Sequence, residues 1–253
     1  MADKPITLTP LTKPLRLHFS GKRVTLPADL QSKVDAYWQT RLAENPHLFN
    51  GETFTLTSFT ETPTEIRGEL DESDFAHSLY SYQAEMDEYA YRVIHSACLV
   101  ITSDNKLVVG EMHKNTARAG IICCSGGGID RGDLRGGNVI DLDYSTEHEL
   151  NEEFGVDPHD EHALSFGPAF IKSGGPGDKI TVLYVLKTSL SSQQFADNYT
   201  HFTEQLAQDG KAIEYERLFY VDNTPTAIED FIAEHTEQLD AYIPALFRAV
   251  SSK

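Results

Sequence analysis

The sequence predicts an α/β protein, a mixed β-sheet covered by helices and preceded by a small α+β section. Three observations lead there. Beyond residue 92, short strand-like runs are interspersed with helical stretches. Some of these strands are joined by turns such as "SDNK" (103–106), too short for a crossover, so the sheet cannot be wholly parallel. Before that point the chain carries its own strands and helices. The expected division is residues 1–91 and 92–253.

Residues 1–14 are rich in Pro and Thr and predict an extended or loosely docked arm. "LRLHF" (15–19) alternates as a strand does. Leu30, Val34, Trp38 and Leu42 recur every four residues, which predicts an amphipathic helix over 28–44 ended by Asn45–Pro46. "FTLTSFT" and "TEIRGEL" read as two further strands, and Phe75, Leu79, Tyr82 and Met86 mark a second helix. "HSACLVIT" and "LVVGEMH" then form a hairpin about "SDNK". "GIICCSGGG" enters a glycine loop, followed by an acidic helix. "FGPAFIKS" and "KITVLYVLKTSL" are strands separated by "GGPGD". A polar helix over 192–208 and the strand "YERLFYVD" follow. Thr224–Pro225 opens a closing helix, threonine as N-cap and proline in the first turn.

The 253 residues carry 39 acids against 21 bases, a net charge of −18. Such a surface repels phosphate backbones and argues against long nucleic acid as a partner. Small phosphorylated ligands stay open, because a metal and a few local bases reverse the field within a pocket. No basic run suggests a membrane surface, and "TVLYVL" is far too short to span one. Three cysteines form no disulfide framework, and the N-terminus lacks a secretory apolar core, so a reducing, cytoplasmic location is expected.

The chemistry concentrates in "SGGGIDRGDLRGGNVIDLDYSTEHELNEEFGV" (125–156). On a helix, Glu149, Glu152 and Glu153 stand at i, i+3 and i+4 and share one side. Leu150 and Phe154 lie on an adjacent face that anchors the helix to a sheet, and Gly155 ends it. Three clustered carboxylates repel one another, and alone they describe a solvated acidic face more readily than a site. The glycine loop before them shifts the balance, because glycines let backbone groups approach a metal or phosphate closely.

"HELNEEFGV" (148–156) and "GGGIDRGD" (126–133) together resemble the signature of the Nudix hydrolases, a glycine loop followed by a helix of pattern R-E-(aliphatic)-x-E-E-x-G-(aliphatic). His148 stands where that pattern has arginine, and the loop is about seven residues longer. The resemblance implies an α/β/α sandwich of the Nudix type. It also implies Mg²⁺, with Mn²⁺ as substitute, held by Glu149, Glu152, Glu153 and the carbonyl of Gly127. The remaining acidic position of the pattern falls on Asp133 by distance from the glycines or on Asp141 by distance from the helix. The extra "LRGGNVI" (134–140) is expected as a bulging loop at the pocket rim.

"AYWQTRLAENPHLFNGETFTL" (36–56), "SGGPGDKITVLYVLKTSLSSQQF" (173–195) and "ERLFYVDN" (216–223) are similar to the branch of that family acting on UDP-glucose and related UDP-sugars. The activity implied is Mg²⁺-dependent hydrolysis of a nucleoside diphosphate linked to another moiety, a UDP-sugar giving UMP and a sugar 1-phosphate. ADP-ribose-like compounds come second. Glu152 or Glu153 would serve the chemistry directly, and Asp178 and Glu216 are further candidate bases. Lys114, Arg118, Lys172 and Lys179 flank the predicted loops and, with Asp178, form the expected substrate wall; each lysine or arginine alone is more commonly a solvated base. Tyr80 or Tyr82 could stack on uracil, with core packing as the plainer role.

Competing motifs fail. "HELNE" lacks the second histidine of a zincin helix, "GGPGDKI" lacks the G-K-[ST] ending of a phosphate loop, and "CCSGG" lacks the leading glycine of a nucleophile elbow. A different class stays open, a non-catalytic Nudix module that senses a nucleotide-sugar. His148 and the stretched loop favour it, and the intact glutamate trio opposes it. The sequence also leaves open whether the N-terminal section caps a pocket or forms a homodimer interface.

Overall fold

A computed structural model describes residues 4–84 and 88–251, Pro176 without its side chain. The N-terminal part holds β1 (Lys4–Pro10), β2 (Leu15–Arg23), α1 (Ala28–Glu44), β3 (Glu52–Glu61), β4 (Ile66–Asp74) and α2 (Phe75–Ala84). Met86, expected in α2, lies outside the described residues. There follow β5 (Ile94–Ile101), β6 (Lys106–Met112), β7 (Ile122–Cys123), β8 (Leu134–Arg135), β9 (Val139–Ile140) and α3 (Leu142–Phe154). The chain closes with β10 (Ala163–Gly175), β11 (Ile180–Thr188), α4 (Ser192–Gln208), β12 (Tyr215–Asp222), α5 (Pro225–His235) and α6 (Ile243–Ser251). Among the described residues no helix is long and apolar enough to cross a membrane.

The larger sheet runs β1-β10-β11-β5-β6-β12, with β7 beside β6. β11 lies parallel to β5, while β10–β11 and β5–β6 are antiparallel, so the sheet is mixed as expected. Side chains alternate along β5, and both of its faces are buried. Ile94, Cys98 and Val100 pack with Leu150 and Phe154 of α3 and Phe195 of α4. Ala97, Leu99 and Ile101 pack with Ile228 of α5 and Ile243, Leu246 and Phe247 of α6. Burial on both faces is why this strand reads as a continuous apolar run. The result is an α/β/α sandwich.

A second sheet, β3-β4-β2-β9-β8, completes the molecule. The two sheets exchange chain. β1, from the expected arm, is an edge strand of the larger sheet, with Thr7 opposite Ser173 and Pro10 opposite Phe170. In the other direction, the extra residues after the glycine loop do not bulge at a rim. They form the hairpin β8–β9, whose Leu17–Ile140 and His18–Val139 pairings attach it to β2. Two-residue strands carry too little pattern to be seen in sequence.

The single closing helix expected after Thr224 is two helices. Thr224 does cap the first, accepting from Ala227 N–H. The backbone between the helices is diverted to pair with β7, where Ile122 N–H donates to Gln238 and Asp240 N–H donates back to Ile122.

Candidate active site

Helix α3 is positioned by both its ends. Asp141 is its N-cap, accepting from Tyr144 N–H, and Gly155 closes it at φ 67°. A side chain there would be strained and would meet Phe202 at 2.6 Å. Leu150 and Phe154 are fully buried, which turns Glu149 and Glu153 toward the glycine loop. Glu153 is only 8% exposed, and its Oε2 accepts from Gly126 N–H at 2.8 Å and from Tyr215 Oη at 3.2 Å. Glu149 lies against Gly127. Glu152 stands at the wet edge, 3.4 Å from Nε2 of His148.

Glu149, Glu152, Glu153 and Glu214 line one cleft of about 530 Å³ with Gly126 and Gly127. Burial raises the carboxyl of Glu149 to about 7, reinforced by Glu152, Asp133 and Glu214. Burial likewise raises Glu153 well above the ordinary range, with Glu149 adding repulsion, and raises Glu214. Raised acids facing one another are what a divalent cation would relieve, and their hard oxygens suit Mg²⁺ or Mn²⁺. Among the described residues, no three His, Cys, Asp or Glu side chains stand close enough together to hold a metal ion. The donor chemistry suits the ion, and Glu149, Glu152, Glu153 and Gly127 line the same cleft.

The two candidates for the extra acidic position separate. Asp141 is occupied as the helix cap. Asp133 is buried, accepts from Asp130 N–H at 2.9 Å, and is close enough to Glu149 to raise it. His148 does not stand alone in place of the arginine. Its ring stacks on Tyr144 at 6.0 Å, and the guanidinium of Arg135, from the hairpin, lies 3.5 Å from the centre of the Tyr144 ring.

On the other side of the glycines lies a second cavity of about 1110 Å³, also lined by Gly126 and Gly127. Arg118, Lys179, Asp178, His95 and Tyr82 line it. Arg118 pairs with Asp240 at 2.7 Å, and Asp178 pairs with Lys4 at 2.7 Å. Lys179 Nζ is 4.8 Å from the centre of the Tyr82 ring. Burial lowers His95 to about 3, with Lys179, Lys172 and Arg118 opposing its protonation and Asp240 favouring it, so the imidazole is neutral. The N-terminal section supplies one wall of the cavity through Thr53, Phe75, Ser78, Leu79 and Tyr82.

Other expected residues lie elsewhere. Lys172 is buried behind the wall, donating to the carbonyl of Lys179 at 3.0 Å. Lys114 is exposed on a turn and lines neither cavity. Tyr80 packs edge-on against Tyr37 between α2 and α1. Glu216 points outward to His113 at 3.3 Å, and Asp178 is across the glycines from the acidic cleft. Glu214 escaped the sequence reading. It belongs to the connector before β12 and has no periodic partner; only the pairing of β12 with β6 brings it to α3.

No protein-family model matches the sequence, and no curated protein does. Solved structures similar to the chain include DR0079 from Deinococcus radiodurans, at 13% identity and a TM-score of 0.42, over 62% of this chain and 82% of that one. The NUDIX domain of Shewanella oneidensis NrtR, crystallised with ADP ribose, is similar at 14% identity and TM-score 0.37, over 68% and 95%. A NUDIX hydrolase from Nitrosomonas europaea is similar at 10% identity and TM-score 0.36, over 62% and 86%. These are distant likenesses of fold.

Proposed function

We propose that the chain is a Nudix-type pyrophosphohydrolase that cleaves a nucleoside diphosphate linked to another moiety, UDP-sugars before ADP-ribose. One observation carries this. An acidic cleft and a larger, cation-bearing cavity meet at the same two glycines, Gly126 and Gly127. A diphosphate placed across that junction would have carboxylates on one side and Arg118 and Lys179 on the other. The larger cavity is of the size that takes a nucleotide-sized ligand.

Mg²⁺ or Mn²⁺, when bound at Glu149, Glu153, Glu152 and Gly127, would offset charge on the diphosphate and acidify water. Arg118 and Lys179 would pair with phosphate oxygens, the guanidinium as a planar fork and the ammonium as a point charge. Tyr82 offers its ring to the base. Glu214, or Glu152 if it leaves the ion to the other ligands, would take the proton of the attacking water. That water would form a new P–O bond in line with the breaking anhydride bond, releasing UMP and sugar 1-phosphate from a UDP-sugar.

The test is incubation with Mg²⁺ and a panel of UDP-sugars, ADP-ribose, dinucleotides and nucleoside triphosphates, with products measured. Metal-dependent release of UMP from a UDP-sugar is expected. Binding without turnover on any compound would replace the enzyme with a nucleotide-sugar sensor.

A further inference from the structure

The stretch between the glycines and α3 is gripped from outside by the second sheet. Arg131 donates from Nε to Glu52 of β3 at 2.8 Å and from Nη2 to Glu72 of β4. Its guanidinium also lies over the ring of Phe19 in β2, 5.7 Å from the centroid. One side chain thus reaches three strands. Glu72 is buried and takes Arg23 on its other oxygen. Burial alone would raise that carboxyl, yet Arg23 and Arg131 together hold it below the ordinary value, so it is ionised.

The backbone follows the same path. Phe54 N–H donates to Ile129 at 3.3 Å, and Phe19 N–H donates to Asn138 at 2.8 Å. On its inner side the turn that carries Arg131 also carries Asp133, whose carbonyl accepts from the N–H of Asp141, the N-cap of α3, at 2.9 Å. A half-exposed ion pair contributes little stability in itself, but a forked guanidinium on fixed carboxylates sets geometry.

We propose that Arg131 is a positioning residue for the metal helix, holding the 126–133 loop against β3 and β4 so that Gly126, Gly127 and Asp133 meet Glu149 and Glu153. This rests on the metal-dependent reading above. It makes the N-terminal section part of the scaffold of the acidic cleft as well as a wall of the larger cavity.

The test is Mn²⁺ titration of the full chain by electron paramagnetic resonance, with melting temperature and amide hydrogen exchange of Gly126–Gly128 in metal-free protein. The variants are Arg131→Ala, Arg131→Lys and Arg23→Ala. Groups that orient ligands from behind are worth roughly 10–100-fold in metal affinity, and Arg131→Ala is expected to lose at least about tenfold. It should also speed exchange at the glycines. Arg131→Lys recovers part, keeping the charge without the fork. Arg23→Ala removes a partner of the same Glu72 without touching the loop, and should keep Mn²⁺ affinity within about twofold while lowering the melting temperature.

Equal Mn²⁺ affinity in wild type, Arg131→Ala and Arg23→Ala overturns the proposal and leaves the metal reading standing. A wild type that binds no Mn²⁺ overturns both. Should Arg131→Ala fail to fold, Arg131→Lys and Glu52→Gln carry the comparison, and unchanged affinity in both overturns it.

Discussion

Gly127 and Glu149 touch where loop meets helix: a Cβ on the glycine would fall 1.9 Å from Oε1 of the glutamate. Backbone and carboxylate therefore share one small space, and any side chain at 127 evicts the carboxylate. Gly127→Ala is expected to weaken Mn²⁺ binding at least about tenfold, as displaced ligand-orienting groups do. Gly155→Ala is the contrast. Its strained φ and the Phe202 contact should cost roughly 1–3 kcal/mol of stability. Titration and denaturant unfolding separate the two, and an unchanged Mn²⁺ affinity in Gly127→Ala would refute the contact's role.

Glu149 has a folded-state pKa of about 7 against an ordinary 4.5. A raised acid binds its proton more tightly in the folded chain, so stability falls as pH rises from 4.5 to 7 and stays lowered above that. Glu149→Gln should accordingly raise the melting temperature at pH 8 in chelator and leave it unchanged near pH 4. Divalent cation should then stabilise wild type at pH 8 far more than the variant. A variant less stable than wild type at pH 8 would refute the assignment.

Glu214 is expected to act on the proton rather than the ion. Glu214→Gln should lower kcat by roughly 10²–10⁴-fold, the usual worth of a positioned base. Mn²⁺ affinity should stay near wild type. Since Glu214 is raised by burial, the rise of activity with pH should contain a step above 4.5 that the variant lacks. A kcat within a few fold of wild type would shift the role to Glu152.

Arg118→Ala leaves Asp240 in the cavity wall without its 2.7 Å partner. An unpaired acid there repels a diphosphate, so KM should rise at least about tenfold, the cost of one charge-assisted contact. Lys179→Ala should act in the same direction. Lys114→Ala, on its exposed turn, should change neither KM nor kcat. Steady-state kinetics on the best substrate decide it, and an effect at Lys114 equal to that at Arg118 would mean the cavity is misassigned.

The helical spacing of Glu149, Glu152 and Glu153 was legible because periodicity is local, and so was β5, an apolar run ended by the turn "SDNK". Asp133 and Asp141 were not separable. Which of them fills the extra acidic position depends on where α3 starts, and that is set by a hairpin too short to show a pattern. Glu214 and Arg131 owe their places to strand pairings across the whole chain. A residue drawn in by distant pairing leaves no trace in its neighbours.

The exchange of strands between the two sheets has a temporal side. β1 cannot find its partner until β10 has been made, since Pro10 pairs with Phe170. β2 likewise waits for Ile140 before its outer edge is covered. Contacts so far apart in sequence close late and slowly. On the ribosome the first ninety or so residues, although rich in their own strands, must emerge with two open edges. A cut between the two sections would thus leave each fragment with a bare strand edge.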